Sequence, residues 1–214
     1  MDIDTTAMQR DRKRADREVK ADAYRISGMA DVRTVVDVGA YHGSFSRFAK
    51  RLYPLAAVHA FEPSPDSFER LCGTTTGVST YNYAISDVPG RVSLQLSQVP
   101  SCNALGQRPQ RPTGQSVLVE AVTLPGWMLH FSITRIDILK LDCEGQEAAI
   151  CESLAKAGRL PQIRYITGEW HGHEQIVRVG YALAETHDVE WHGIKPGRGY
   201  FYAHAKNLPV QPVL

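Results

Sequence analysis

The stretch Val35-Val36-Asp37-Val38-Gly39-Ala40-Tyr41-His42-Gly43 constrains the fold of this chain more than any other. A β-branched run ends in an acid, and two glycines four positions apart follow it. A buried strand that runs through a Gly-bearing turn into a helix is the general design of a nucleotide-binding crevice. Dinucleotide loops place a second glycine two residues after the first, so that the backbone can approach a pyrophosphate. Here Tyr41 stands at that position. An acid as close to the ligand as Asp37 repels phosphate and attracts a cation. S-adenosylmethionine carries an ammonium and a sulfonium but no phosphate. The loop therefore reads as a methyl-donor site, with S-adenosyl-L-homocysteine as the spent product.

The 214 residues suffice for one sizeable core without a disulfide or metal staple. Charged residues at 22% and apolar ones at 43% fit a globular protein, and a net charge of +1 gives no general drive toward nucleic acid or an anionic membrane. No apolar run approaches the ~18 residues of a membrane span, and the N-terminus has no signal-peptide core. Cys72, Cys102, Cys143 and Cys151 have neither paired nor metal-ligand spacing, so reduced thiols in a cytoplasmic protein are expected.

Residues 1–30 read as an N-terminal helical extension or lid, with six basic and three acidic residues mixed between Arg10 and Lys20. Residues 31–214 read as one domain in which strands and helices alternate. Strands are predicted at 34–38, 56–61, 78–85, 91–97, 117–123, 136–141 and 163–168, with a closing antiparallel pair at 189–192 and 200–204. Helices are predicted at 44–53, from Pro65 to about Cys72, at 146–157 and at 174–185. Residues 98–116 are rich in Pro, Gln, Gly and Arg and read as a long mobile loop, with Ser101, Cys102 and Asn103 as candidates for substrate contact. The result is an α/β domain with a mostly parallel sheet.

In such a sheet, ligands sit outside the carboxyl ends of the strands. Those ends carry Asp37, Glu62, Asp87, Asp142 and Glu169. Asp37 can offset the donor's positive charge, while Gly39, Ala40, Tyr41 and Gly43 let backbone approach it. Glu62, next to Pro63, can accept from both ribose hydroxyls. Asp87, or the backbone at Ala84 and Ile85, can receive the adenine amino group. Asp142 lies where transfer would occur. Any one acid could be a helix cap or solvated turn, and it is their order along the chain that favours a donor crevice.

That order has a family likeness. Residues 37–43, Phe61-Glu62-Pro63-Ser64-Pro65, the run 83–90 and Ile136-Asp137-Ile138-Leu139-Lys140-Leu141-Asp142-Cys143-Glu144-Gly145-Gln146-Glu147 resemble the FkbM family of S-adenosylmethionine-dependent methyltransferases. The resemblance implies a class I methyltransferase (Rossmann-like) fold, with a seven-stranded sheet, helices on both faces and an antiparallel last strand. It also implies methylation of a small-molecule hydroxyl of secondary-metabolite, sugar or polyketide type. Tyr41 stands where the family usually has Asn, and Gln146 where His is common.

A hydroxyl acceptor must lose its proton, and Asp142, Glu144, Glu169 and His171 are the available bases, with His171 or Asp142 favoured. Asp142, Glu169 and His171 could instead hold Mg²⁺, although nothing in their spacing demands it. The expected partner is a hydroxylated small molecule rather than nucleic acid or membrane, and homo-oligomer formation is left open. Two other readings are a nicotinamide-dependent reductase, which Asp37 and Tyr41 disfavour, and a non-catalytic domain that keeps the fold.

Overall fold

A computed structural model describes residues 24–105, 109 and 111–206. Its main sheet begins with β1 (Thr34–Val38), after which come α1 (Ser44–Leu52), β2 (Ala57–Phe61), α2 (Pro65–Thr74) and β3 (Ser79–Tyr81). A smaller sheet follows: β4 (Ala84–Ile85), β5 (Gly90–Ser97), β6 (Ala104–Leu105) and β7 (Pro112–Val122). The chain then returns through α3 (Leu124–His130) to β8 (Ile138–Leu141), α4 (Glu147–Lys156), β9 (Tyr165–His171), α5 (His173–Leu183), β10 (His187–Lys195) and β11 (Arg198–Ala205).

The seven-stranded sheet has the order β10-β11-β9-β8-β1-β2-β3. Pairing is parallel from β9 to β3, whereas β11 runs antiparallel to both β9 and β10. The expected α/β class, mostly parallel sheet and antiparallel last strand are all present. Alternate residues of the central strands feed two cores. Val36, Val38, Leu139 and Leu141 pack with residues of α3, α4 and α5 on one face. Val35 and Ile138 pack with Phe45 and Ala49 of α1 on the other. Because both faces are covered, these strands are continuous apolar runs, the pattern of buried parallel strands. Each fully buried Ile or Leu contributes roughly 2 kcal/mol.

Three expectations need correction. Residues 78–85 do not form one strand: the chain leaves the main sheet after Tyr81, and Ala84–Ile85 pairs with β7 instead. The loop expected at 98–116 is largely structured. It contains a 3₁₀ turn at Pro100–Cys102 and the strand β6, and β7 begins at Pro112. The antiparallel β5–β7 ladder reaches Ser97↔Pro112, so polar residues are strand-paired there despite their loop-like composition. Helix α3 was not anticipated, although Thr123 caps it through the amide of Gly126 and Pro125 occupies its first turn.

The expected helix around Arg10–Lys20 lies outside the described residues, and Tyr24–Ala30 contains no helix. The four cysteines are free thiols. Among the described residues no helix is long and apolar enough to cross a membrane.

Candidate active site

Register builds the site. Val38 pairs with both Phe61 and Leu141, and Leu141 pairs with Gly168, so β1, β2 and β8 end level with one another and with Gly168 of β9, which runs on to His171. The next residues, Gly39, Glu62, Asp142 and Glu169, therefore share one edge of the sheet. At Gly39 the chain turns with φ 75°, and its amide donates to the Phe61 carbonyl (3.1 Å). A Cβ there would lie 1.9 Å from the Asp142 carbonyl oxygen, so only glycine lets the β1 and β8 loops meet. Tyr41 is also left-handed, at φ 50°, a conformation that costs a bulky residue roughly 1–2 kcal/mol and that Asn tolerates better. Its ring stacks on His42 at 3.6 Å.

Asp37 anchors the loop from beneath, with no surface at the open edge. It is fully buried, accepts from the Ser46 hydroxyl (2.6 Å) and pairs with Lys140 Nζ at 3.0 Å. That ammonium also donates to the Gly39 carbonyl (2.8 Å). Burial opposes its charge, but Asp37 and then Asp142 outweigh burial and raise its pKa. Glu62 organises the same loop from above, with one carboxylate oxygen accepting from the Tyr41 amide (2.8 Å) and the other from the Ser64 amide (2.9 Å). Burial pushes Glu62 up to about 7, against the lowering effect of those two amides.

Glu147 accounts for the end of the 136–147 motif. It is fully buried, accepts from the amides of Cys143 and Gly145 (both 2.9 Å) and from Gln175 Nε2 (3.0 Å), and so clamps the loop that carries Asp142 and Glu144. Glu144 sits at φ 50°. Its carboxylate lies 3.4 Å from His171 Nε2 and 3.6 Å from Arg198. Burial raises the Glu144 pKa, partly offset by His171 and Arg198.

Two hollows meet here. A slot of about 50 Å³ is lined by Glu62, Pro63, Ala84, Ile85, Phe61 and Leu94, and is roofed by Pro100, Asn103 and Leu105. A cavity of about 540 Å³ is lined by Tyr24, Ala40, Phe45, Cys102, Lys140 and Arg198. Gly39, Tyr41, Ser101, Asp142 and Glu144 line both and form the junction. A larger hollow of about 930 Å³ lies beside the β5–β7 ladder and shares Leu105 with the slot.

Most of the sequence-derived site thus converges, including Ser101, Cys102 and Asn103. Besides Asp37 and Gly43, three residues do not take their expected places. Asp87 lines the outer hollow, away from the slot. His171 has both ring nitrogens buried behind Glu144, with none of the ring's polar atoms reaching the junction. Glu169 is buried and doubly engaged by Arg198, through Nε at 2.7 Å and through a second guanidinium nitrogen. Gly43 sits at the start of α1, where a Cβ would strike Leu71 and Thr75, so it serves packing. Sequence reasoning missed Tyr24, Lys140 and Arg198. For Lys140 the signal was a lysine inside an otherwise apolar strand.

The set of groups suits S-adenosylmethionine. A ribose-type acid borders an apolar slot, two carboxylates stand at the junction, and the lysine and arginine that line the cavity are engaged by acids, Lys140 by Asp37 and Arg198 by Glu169. Among the described residues no cluster of three or more His, Cys, Asp or Glu could hold a metal ion.

Comparison with known proteins agrees with this geometry. A structure of methyltransferase FkbM from Methylobacillus flagellatus KT superposes with a TM-score of 0.60 at 14% identity, over 86% of this chain and 47% of that one. This chain thus spans about half the length of that relative. Precorrin-6y C5,15-methyltransferase from Geobacter metallireducens GS-15 gives 0.53 at 13% identity, over 89% and 87% of the two chains. A fibrillarin pre-rRNA processing protein from Methanococcus jannaschii gives 0.54 at 11%, over 89% and 76%. At such identities the likeness is one of fold. No curated protein matches the sequence. The sequence model described as Methyltransferase FkbM domain matches residues 37–199, and the chain belongs to that methyltransferase family.

Proposed function

We propose that this protein uses S-adenosylmethionine to methylate a hydroxyl of a small molecule, with Glu144 as the general base. The observation that carries this reading is the junction itself, where a nucleoside-like slot and a 540 Å³ cavity share Gly39, Tyr41, Ser101, Asp142 and Glu144. In this reading Glu62 accepts from the ribose hydroxyls, Phe61, Ala84, Ile85 and Leu94 enclose the adenine, and Asp142 faces the donor's positive charge. Bound S-adenosylmethionine supplies a methyl group on a sulfonium, a leaving group that departs neutral.

The chain's own residues do the rest. Aligning the acceptor oxygen in the larger cavity supplies much of the rate. Glu144 takes the hydroxyl proton at a carboxylate oxygen, and its raised pKa brings it toward the working pH. His171 and Arg198, 3.4 and 3.6 Å away, hold it in place, so His171 acts through Glu144 and does not touch the acceptor. The Pro100–Leu105 roof, pinned by the Gln146 Nε2–Leu105 carbonyl bond of 3.1 Å, lifts to admit the adenosine.

The test is transfer of labelled methyl from S-adenosylmethionine to hydroxylated and amine-bearing small molecules by wild type and Glu144→Gln. Transfer to a hydroxyl that falls 10²–10⁴-fold in the variant supports the reading. Transfer confined to amines, or undiminished in the variant, contradicts it.

A further inference from the structure

Tyr24 lies at the start of the described chain, yet its hydroxyl donates to Asp142 Oδ2 at 2.8 Å, inside the wall of the larger cavity. The side chain is 3% exposed. Its ring stands edge-on to Phe45 and Tyr200, each at 5.4 Å, and its own carbonyl accepts from the Tyr165 hydroxyl (3.0 Å). The two following residues are fixed as well. Arg25 lies 4.1 Å over the Tyr202 ring and pairs with Glu190 at 3.2 Å. Ile26 is fully buried, and its carbonyl accepts from the Tyr53 hydroxyl. Three consecutive residues are thus held by three parts of the domain, and together they aim one phenol at one carboxylate.

Packing alone does not account for this choice, because phenylalanine would fill the same space. The hydroxyl matters because of what Asp142 faces. Around it stand Lys140 (3.9 Å), Cys143 and Glu144 from β8 and its loop, Arg198 and Tyr200 from β11, and Tyr24, with Glu169 of β9 behind. Lys140 is already committed to Asp37, and Arg198 to Glu169. Beside the longer Lys140 pairing, Tyr24 supplies Asp142 with a close neutral donor that fixes the carboxylate without adding a cation. A hydrogen bond donated to a carboxylate favours the charged form.

We propose that Tyr24 is a positioning residue for methyl transfer: it holds the Asp142 carboxylate charged and in place beside the donor's cation, and so lets the site prefer the sulfonium donor to its neutral thioether product. This rests on the donor-site reading above. Burial and the Asp142 charge keep the phenol protonated, consistent with a donor that never switches off.

The experiment is calorimetric titration of the full chain with S-adenosylmethionine and S-adenosylhomocysteine at neutral pH, for wild type, Tyr24→Phe, Asp142→Asn and the double variant. In wild type the donor binds more tightly than the product. In Tyr24→Phe the preference shrinks about tenfold, as loss of a hydrogen bond to a charged group requires. Product affinity and melting temperature stay near wild type. Asp142→Asn loses the preference, and adding Tyr24→Phe to it changes nothing further. An unchanged preference in Tyr24→Phe overturns the proposal, as does an equal loss for both ligands with a lowered melting temperature. If wild type binds neither ligand, the donor-site reading fails and this proposal falls with it.

Discussion

The Lys140 ammonium lies 3.0 Å from the Asp37 carboxylate, and the two side chains are only 4% and 0% exposed. The pair joins β8 to β1 directly beneath the loop that both strands present to the site. Removing one partner leaves the other charged, buried and unpaired, which typically costs about 3–5 kcal/mol. Lys140→Met is expected to lose that much in urea unfolding with an unchanged m-value, and Asp37→Asn a comparable amount. A loss below about 1 kcal/mol would show the pair to be dispensable.

Gly39→Ala sets a methyl group against the Asp142 carbonyl at a backbone angle that only glycine adopts freely. The two loops must part or the turn must distort, at a cost of about 3 kcal/mol or more. Binding of S-adenosylmethionine is expected to be lost in this variant, as read by calorimetry at concentrations where the folded fraction is confirmed by circular dichroism. Wild-type affinity would mean that the loops need not touch.

Glu62 makes stability depend on pH. Its carboxyl is raised from 4.5 to about 7 by burial, so the folded chain binds that proton more tightly than the unfolded one. The contribution is complete below about pH 4.5 and is lost as pH rises through 7, a total of about 3 kcal/mol. The difference between wild type and Glu62→Gln in urea melts from pH 4 to 8 should trace that decline. Ribose hydroxyls donate to the charged carboxylate, so donor affinity should rise over the same interval in wild type and stay flat in Glu62→Gln.

Gln146 Nε2 holds the Leu105 carbonyl at 3.1 Å and so pins the roof of the slot. A hydrogen bond of this kind contributes about 1 kcal/mol, so Gln146→Ala should raise the population of the open slot, and the association rate of S-adenosylmethionine, by about fivefold. Stopped-flow tryptophan fluorescence measures that rate, and an unchanged or slower value would place the entry route elsewhere.

Legibility in the sequence followed burial. The main-sheet strands are buried on both faces and therefore appear as unbroken β-branched and aliphatic runs, which is why Thr34–Val38 and the edge carrying Gly39, Glu62 and Asp142 could be read directly. The small sheet is half exposed, and Pro112–Val122 begins with exposed Thr113, Gly114, Gln115 and Ser116, so the start of β7 resembled a loop. Side-chain direction was the other limit. Nothing in Glu169-Trp170-His171 reveals that Arg198, 29 residues on from Glu169, would occupy that acid, or that His171 would turn behind Glu144. Tyr24 was invisible for the same reason, since its partner lies 118 residues away.

The most direct measurement is calorimetric titration of S-adenosylmethionine into the wild-type chain and into Glu62→Ala at neutral pH. The account predicts saturable binding at one site per chain and its loss in the variant. No heat of binding to wild type, or equal affinity in the two proteins, would contradict it.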